Sequence, residues 1–234
     1  MLFYYNNTSL NEVIFFILKN GFHFHFHHVF LYMVTQDLFL SSIIVIKLYS
    51  VNYFYWFGNH YNFFPQYPRL NWVKQFIRLT DTGHFASFLL YLFPNSIPLA
   101  HNVHFIIMSG YWGGKLLFQV EDADRIDNSN DIVLWHSDLL TWTHHTLPYM
   151  LVAHKLHTDT SCHQFDSSTL LSTVAWTWSW FFCIYLPWRA LTGDPVYSIL
   201  DIKKTSPISA ALFMAGLHGL MALANWIGGG GNYF

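Results

Sequence analysis

The sequence predicts an all-α fold, a polytopic transmembrane helical bundle of about six spans. Three observations predict it. Hydrophobic residues make up 53% of the 234 and charged residues only 10%, against about 25% charged in ordinary soluble domains. Several apolar stretches reach the roughly 20 residues that cross a bilayer as a helix. Those stretches do not alternate apolar and polar positions, as the roughly ten-residue strands of a membrane barrel do. One integral domain is expected over residues 29–227. It follows an aromatic, His-rich interfacial segment (residues 1–28) and precedes a flexible Gly-rich tail (residues 228–234).

In the N-terminal segment, Val13–Leu18 is too short to span, and His23, His25, His27 and His28 alternate with Phe. That alternation fits an approach to the membrane surface better than a metal site. The first span is expected from Val29 to Tyr49. A loop rich in Tyr, Phe and Trp, with Pro65 and Pro68, follows at the membrane–water interface, where such rings settle. The second span runs from Val73 to Phe93 and ends at the Pro94–Pro98 turn, since proline disfavours helical geometry in the residue before it. The third covers Leu99 to Val120. Its Gly110, Gly113 and Gly114 offer close approach to a neighbouring helix.

A polar, acidic loop from Glu121 to Asp131 leads to the fourth span, Ile132 to Ala153. The fifth is Leu170 to Leu191, broken near its end by Pro187, and the sixth is Ile208 to Ile227. Arg69, Lys74, Lys115, Arg125, Arg189, Lys203 and Lys204 fall on the odd-numbered loops or the helix ends beside them. Lys19 and Lys155 fall on the other side. The positive-inside rule places the odd loops in the cytoplasm. The first span is expected to act as the targeting signal, because residues 1–21 lack a basic start and a small-residue cleavage site.

The formal net charge of −2 comes with no basic cluster, so nucleic acid is not an expected partner. Cys162 and Cys183 form neither a disulfide framework nor a thiolate metal site. What stands out is polarity inside the apolar runs, which costs free energy and marks function. Trp135–His157 carries Asp138, His144, His145 and His154, and the second span carries Thr80, Asp81, Thr82 and His84.

A threonine hydroxyl becomes a nucleophile when a base takes its proton, and histidine suits that role near neutral pH. Thr80 has a partner one turn away in His84, and His144 or His145 can reach it from the fourth span. At about 1.5 Å per residue, Thr80 lies roughly 10 Å into its expected helix and His144 roughly 18 Å into its own. Asp81 and Asp138 are supporting polar groups; Asp138 is two turns from His145 and too far for a direct dyad. The plainer reading is that such a threonine is packing glue, bonded back to a carbonyl, and such a histidine a satisfied interior group.

Taken in order, several short motifs resemble the androgen-induced-gene family, relatives of the androgen-dependent TFPI-regulating protein. They are Leu79–Thr80, His144–Pro148 (HHTLP), Thr192–Gly193 and Val196–Tyr197, within roughly Trp72 to Trp226. The resemblance implies a multi-spanning membrane hydrolase of fatty acid esters of hydroxy fatty acids. It places the nucleophile on Thr80 and the base on His144, with His145 as competitor. It implies no metal or organic cofactor, a lipid substrate from the bilayer, and an endoplasmic reticulum-like membrane. The chain departs from the family in its Pro-bounded turn after the second span, its aromatic N-terminal extension, and the polar neighbours Asp81 and His84.

Two other classes stay open. A metal-dependent lipid oxidase is suggested by 15 histidines, with His101/His104 and His154/His157 spaced by three, but paired HxxHH boxes are lacking. A non-enzymatic lipid-binding, transport or assembly protein would use the same polar residues to line a cavity.

Overall fold

The computed structural model describes residues 42–49, 73–74, 76–117, 131–158, 163–201 and 206–230. The expectations for residues 1–28 and for most of the first span lie outside them. Among the described residues the fold is all-helical. Its elements are α1 (residues 42–49), α2 (Leu79–Leu92), α3 (Ile97–Leu117), α4 (Asp131–His145), α5 (Leu147–Thr158), α6 (Ser167–Trp180), α7 (Leu186–Thr192) and α8 (Pro207–Gly228).

Local chemistry sets most boundaries. Asp166 caps α6 by accepting from the Thr169 N–H at 2.9 Å, and Ser206 caps α8 through the Ser209 N–H, with Pro207 as first residue. Both are favoured starts, because a side-chain oxygen satisfies an orphan donor and proline has none to orphan. Gly193 ends α7 in the left-handed region (φ 74) with its N–H bonded to the Arg189 carbonyl. That conformation costs glycine least.

The sixth expected span agrees with α8 to within a residue. The other helices depart further from expectation. α2 begins at Leu79, not Val73, so Thr80 sits in its first turn rather than 10 Å inside. The fourth span is two helices, α4 and α5, meeting at Thr146. Pro148 accounts for the break: its ring leaves no N–H for the carbonyl one turn back and crowds it. Pro187 acts differently. The chain stays helical from Ser167 to Thr192 by passing through a π-helical turn, Phe181–Tyr185, in which the Leu186 N–H reaches the Phe181 carbonyl. A widened turn absorbs the missing bond.

Helix α3 is the hub, packing against α2, α4, α5, α6 and α8. The third expected span, rather than the polar fourth, is thus the one around which the others pack. Its Val103, Ile106 and Ile107 join Leu79, Ala86, Trp180, Tyr185, Trp188, Leu217 and Met221 in the main core. Gly110 and Gly113 do not serve close approach, since an added Cβ at either meets nothing within 4 Å. Close approach falls instead at Gly83, against Ile107 and His104, and at Gly228, against the ring of Phe165. Gly228 is therefore the last residue of α8 and part of its packing, not the start of a free tail.

Polar side chains also tie helices together. Asn102 of α3 donates to Thr173 Oγ1 of α6 (3.2 Å) and Asn225 Oδ1 of α8 (3.0 Å). Asn225 in turn donates to the carbonyls of Phe165 and Asp166. In apolar surroundings such bonds leave no interior amide unsatisfied.

Among the described residues, two helices are long and apolar enough to cross a membrane, Ser167–Thr192 and Pro207–Gly228. Only 22% and 17% of their apolar stretches are buried within the protein, so both leave broad apolar faces outward. Leu171, Phe182, Leu191, Ile208, Leu212 and Trp226 are among the exposed side chains there.

Candidate functional site

The first turn of α2 is where polar side chains converge. Its start is fixed by Asp81, whose carboxylate accepts from the Arg78 N–H at 3.1 Å. A third-position carboxylate reaching back in this way satisfies a donor the helix cannot. The same carboxylate takes the Lys47 ammonium from α1 at 2.6 Å and lies 3.7 Å from Arg78 Nε. Asp81 is thus a buried anchor between two cations, and its oxygens are committed.

Thr80, 5% exposed, places its Oγ1 3.3 Å from His145 Nε2. The other ring nitrogen, Nδ1, lies 2.7 Å from the Thr141 carbonyl one turn back on α4. A carbonyl only accepts, so Nδ1 carries the proton. The neutral ring then offers its lone pair at Nε2, and the Thr80 hydroxyl donates to it. Tyr111 of α3 stacks on the imidazole at 3.8 Å between centroids and 15° between planes, and Lys115 donates to the Tyr111 hydroxyl at 3.3 Å. The base is fixed in tautomer by one helix and in plane by another.

Tyr197 closes the site from the segment after α7. Its hydroxyl accepts from the Leu79 N–H at 3.1 Å. Burial is the main reason that this phenol is pushed up to about 12 from the ordinary 10.0, so it keeps its proton across any working pH. The residue before it, Val196, is buried with φ 56. A β-branched side chain rarely tolerates that conformation, and backbone strain of this kind gathers at functional sites. Lys74 and Asp194, 3.1 Å apart, pin this segment against the approach to α2, which the Trp180 indole of α6 also holds by donating to the Ile77 carbonyl.

Of the residues picked from sequence, the structure brings Thr80 and His145 together. His144 turns away from Thr80 toward His84, with ring centroids 5.3 Å apart. His84 is 0% exposed and also lies 6.1 Å from His104. Both nitrogens of His84, and Nε2 of His144, are buried without a hydrogen-bond partner. Asp138 lies on an exposed flank of α4, two turns before His145. His101 and His104 are occupied elsewhere, His101 by Asn102 (3.2 Å) and His104 by Ser87 (2.6 Å). Among the described residues no group of three or more His, Cys, Asp or Glu is arranged to hold a metal ion.

Tyr111, Tyr197 and Lys47 were not singled out as site residues. The i, i+4 spacing of Thr141 and His145 was readable as a helix-face pair. The arrival of Tyr197 was not, because only folding brings a residue 118 positions away to Leu79.

Among the described residues, fold and site together define an all-helical protein with an oriented threonine–histidine pair where the first turn of α2 meets the end of α4. No family model, curated protein or solved structure matches the chain.

Proposed function

We propose that the protein is an intramembrane lipid ester hydrolase, with Thr80 as nucleophile and His145 as base. The observation that carries this is the relay from Thr80 Oγ1 to His145 Nε2 to the Thr141 carbonyl, at 3.3 and 2.7 Å. Nucleophile, base and orienting acceptor stand in the order that acyl transfer requires. The outward apolar faces of α6–α7 and α8 support a bilayer setting, with six spans and lateral entry of a lipid. The resemblance in the motifs adds the ester class, and an internal membrane such as the endoplasmic reticulum follows from it.

In the first half-reaction Thr80 Oγ attacks the ester carbonyl carbon as its proton passes to His145 Nε2. The tetrahedral intermediate collapses, the carbon–alkoxy bond breaks, and the alcohol leaves with that proton. The Tyr197 hydroxyl, already accepting from Leu79, keeps its own proton to donate. It is the group placed to stabilise the oxyanion, which pre-set donors do best in a dry site. Water then takes the acyl group from Thr80. No metal or organic cofactor enters these steps.

The competing reading is non-enzymatic, with the Thr80–His145 bond as a link between α2 and α4 in a lipid-binding or transport protein. The committed state of Asp81 favours it, since the base has a carbonyl rather than a carboxylate behind it. Labelling of detergent-solubilised protein by a fluorophosphonate probe separates the two. Hydrolase chemistry gives a wild type that labels and a Thr80→Ala variant that does not. A folded wild type that never labels refutes the hydrolase.

A further inference from the structure

We infer that His84 and His144 together bind a water molecule behind Thr80, and that this water releases the acyl group in the second half-reaction. The chemical half of the inference rests on the hydrolase reading; the binding half stands on geometry. Two buried imidazoles lie 5.3 Å apart with their planes tilted by 44°, and three of their ring nitrogens lack partners. Buried polar groups almost always have partners, and buried water is the usual one where protein groups are out of reach.

The donor pattern specifies the ligand. With its proton on Nδ1, His144 presents Nε2 as an acceptor. A neutral His84 has one N–H and one lone pair. A water donates one hydrogen to His144 Nε2 and accepts from His84, keeping a hydrogen and a lone pair for reaction. A metal ion is a poor occupant. Lys47 and Arg78 lie close enough to act on His144, and Lys47 on His84, and zinc takes three or four protein ligands where two are offered.

Position links this water to the chemistry. His84 is four residues beyond Thr80 on the same face of α2, about 6 Å along the axis. His144 adjoins His145, which bonds Thr80. In deacylation the water oxygen bonds to the acyl carbon and its proton passes to His145 Nε2. The carbon–Oγ bond of Thr80 breaks, Thr80 Oγ takes a proton from His145, and a carboxylic acid leaves. His84 and His144 are positioning residues: they hold the nucleophile and exchange no proton with substrate.

The test uses the full-length protein in detergent with a fluorescent long-chain aryl ester. His84→Phe, His144→Phe and the double variant fill the space without the nitrogens. The expected result is an initial burst equal to the amount of protein, then turnover slowed by about tenfold or more, as loss of positioning costs. The fluorescent acyl group should accumulate covalently on Thr80. A merely structural role would lower burst and turnover together, and that outcome overturns the inference.

Thermal unfolding of the same set reads the binding half. A shared water makes the second substitution cost far less in Tm than the first, and strictly additive losses overturn it. If a Phe variant does not fold, His84→Gln is measured instead. A retained burst with slowed turnover supports the inference, and wild-type turnover overturns it. A wild type that shows no acylation refutes the hydrolase reading, and the Tm comparison then decides the water site alone.

Discussion

Replacing His145 by Gln tests the relay at its centre. Glutamine keeps a polar side chain of similar reach and can accept from Thr80, but it cannot take the proton. A positioned general base contributes about 10²–10⁴-fold. The 3.3 Å contact is at the long edge of a hydrogen bond, which argues for the lower half, about 10²–10³-fold. At 1.36 kcal/mol per decade this is about 3–4 kcal/mol of transition-state stabilisation. The same substitution loses the bond to the Thr141 carbonyl, costing about 1 kcal/mol of stability, so the variant should fold. The assay is the pseudo-first-order rate of fluorophosphonate labelling on purified protein, with Asp138→Asn on the exposed flank as control. His145→Gln should label more slowly by the factor above and Asp138→Asn should not. His145→Gln labelling at the wild-type rate would refute the assignment of the base, whatever Thr80→Ala does.

Two further outcomes follow from the packing around the site. Because folding raises the Tyr197 phenol to about 12 from 10.0, its contribution to stability is complete below pH 10. It is lost as pH climbs toward 12, by up to about 3 kcal/mol. Denaturant unfolding between pH 9 and 12 should show this loss in the wild type and a shallower one in Tyr197→Phe; equal slopes contradict the buried hydroxyl. At Gly228, an added methyl would collide with the ring of Phe165, itself 1% exposed. Gly228→Ala should therefore lower stability by about 1–3 kcal/mol through overpacking, read as a fall in Tm. An unchanged or raised Tm would mean that the end of α8 is free.

Much of the candidate site could be read because its residues break an apolar background. Thr80, Asp81 and His84 on one stretch, and His144 and His145 on another, were conspicuous where polar groups are costly. Two features depend on a helix start and a helix break that hydropathy does not mark. A hydropathy run places a boundary where apolar residues begin, at Val73, but α2 starts where Asp81 can cap it. That moved Thr80 to the first turn. Likewise Pro148 divides the expected fourth span after His145, and the rotation of α4 decides which histidine meets Thr80 and which meets His84. The sequence ordered His144 before His145, and adjacent residues on a helix point about 100° apart, so no count along the chain could choose between them.

The sequence by itself determined the helical character of the chain, the caps at Asp166 and Ser206, the stop at Gly193 and the residue types able to do acyl chemistry. These are local properties, set by side-chain chemistry within a few positions. Tertiary structure alone decided that α3 rather than the fourth span is the hub, and that Asp81 is spent on Lys47 and Arg78. It also decided that His145 meets Thr80 while His144 meets His84, and that Tyr197 closes the site. The reason is physical: each depends on the rotation and depth of helices relative to one another. Those are fixed by side chains packed at contacts such as Gly83 on Ile107, between residues far apart in the chain.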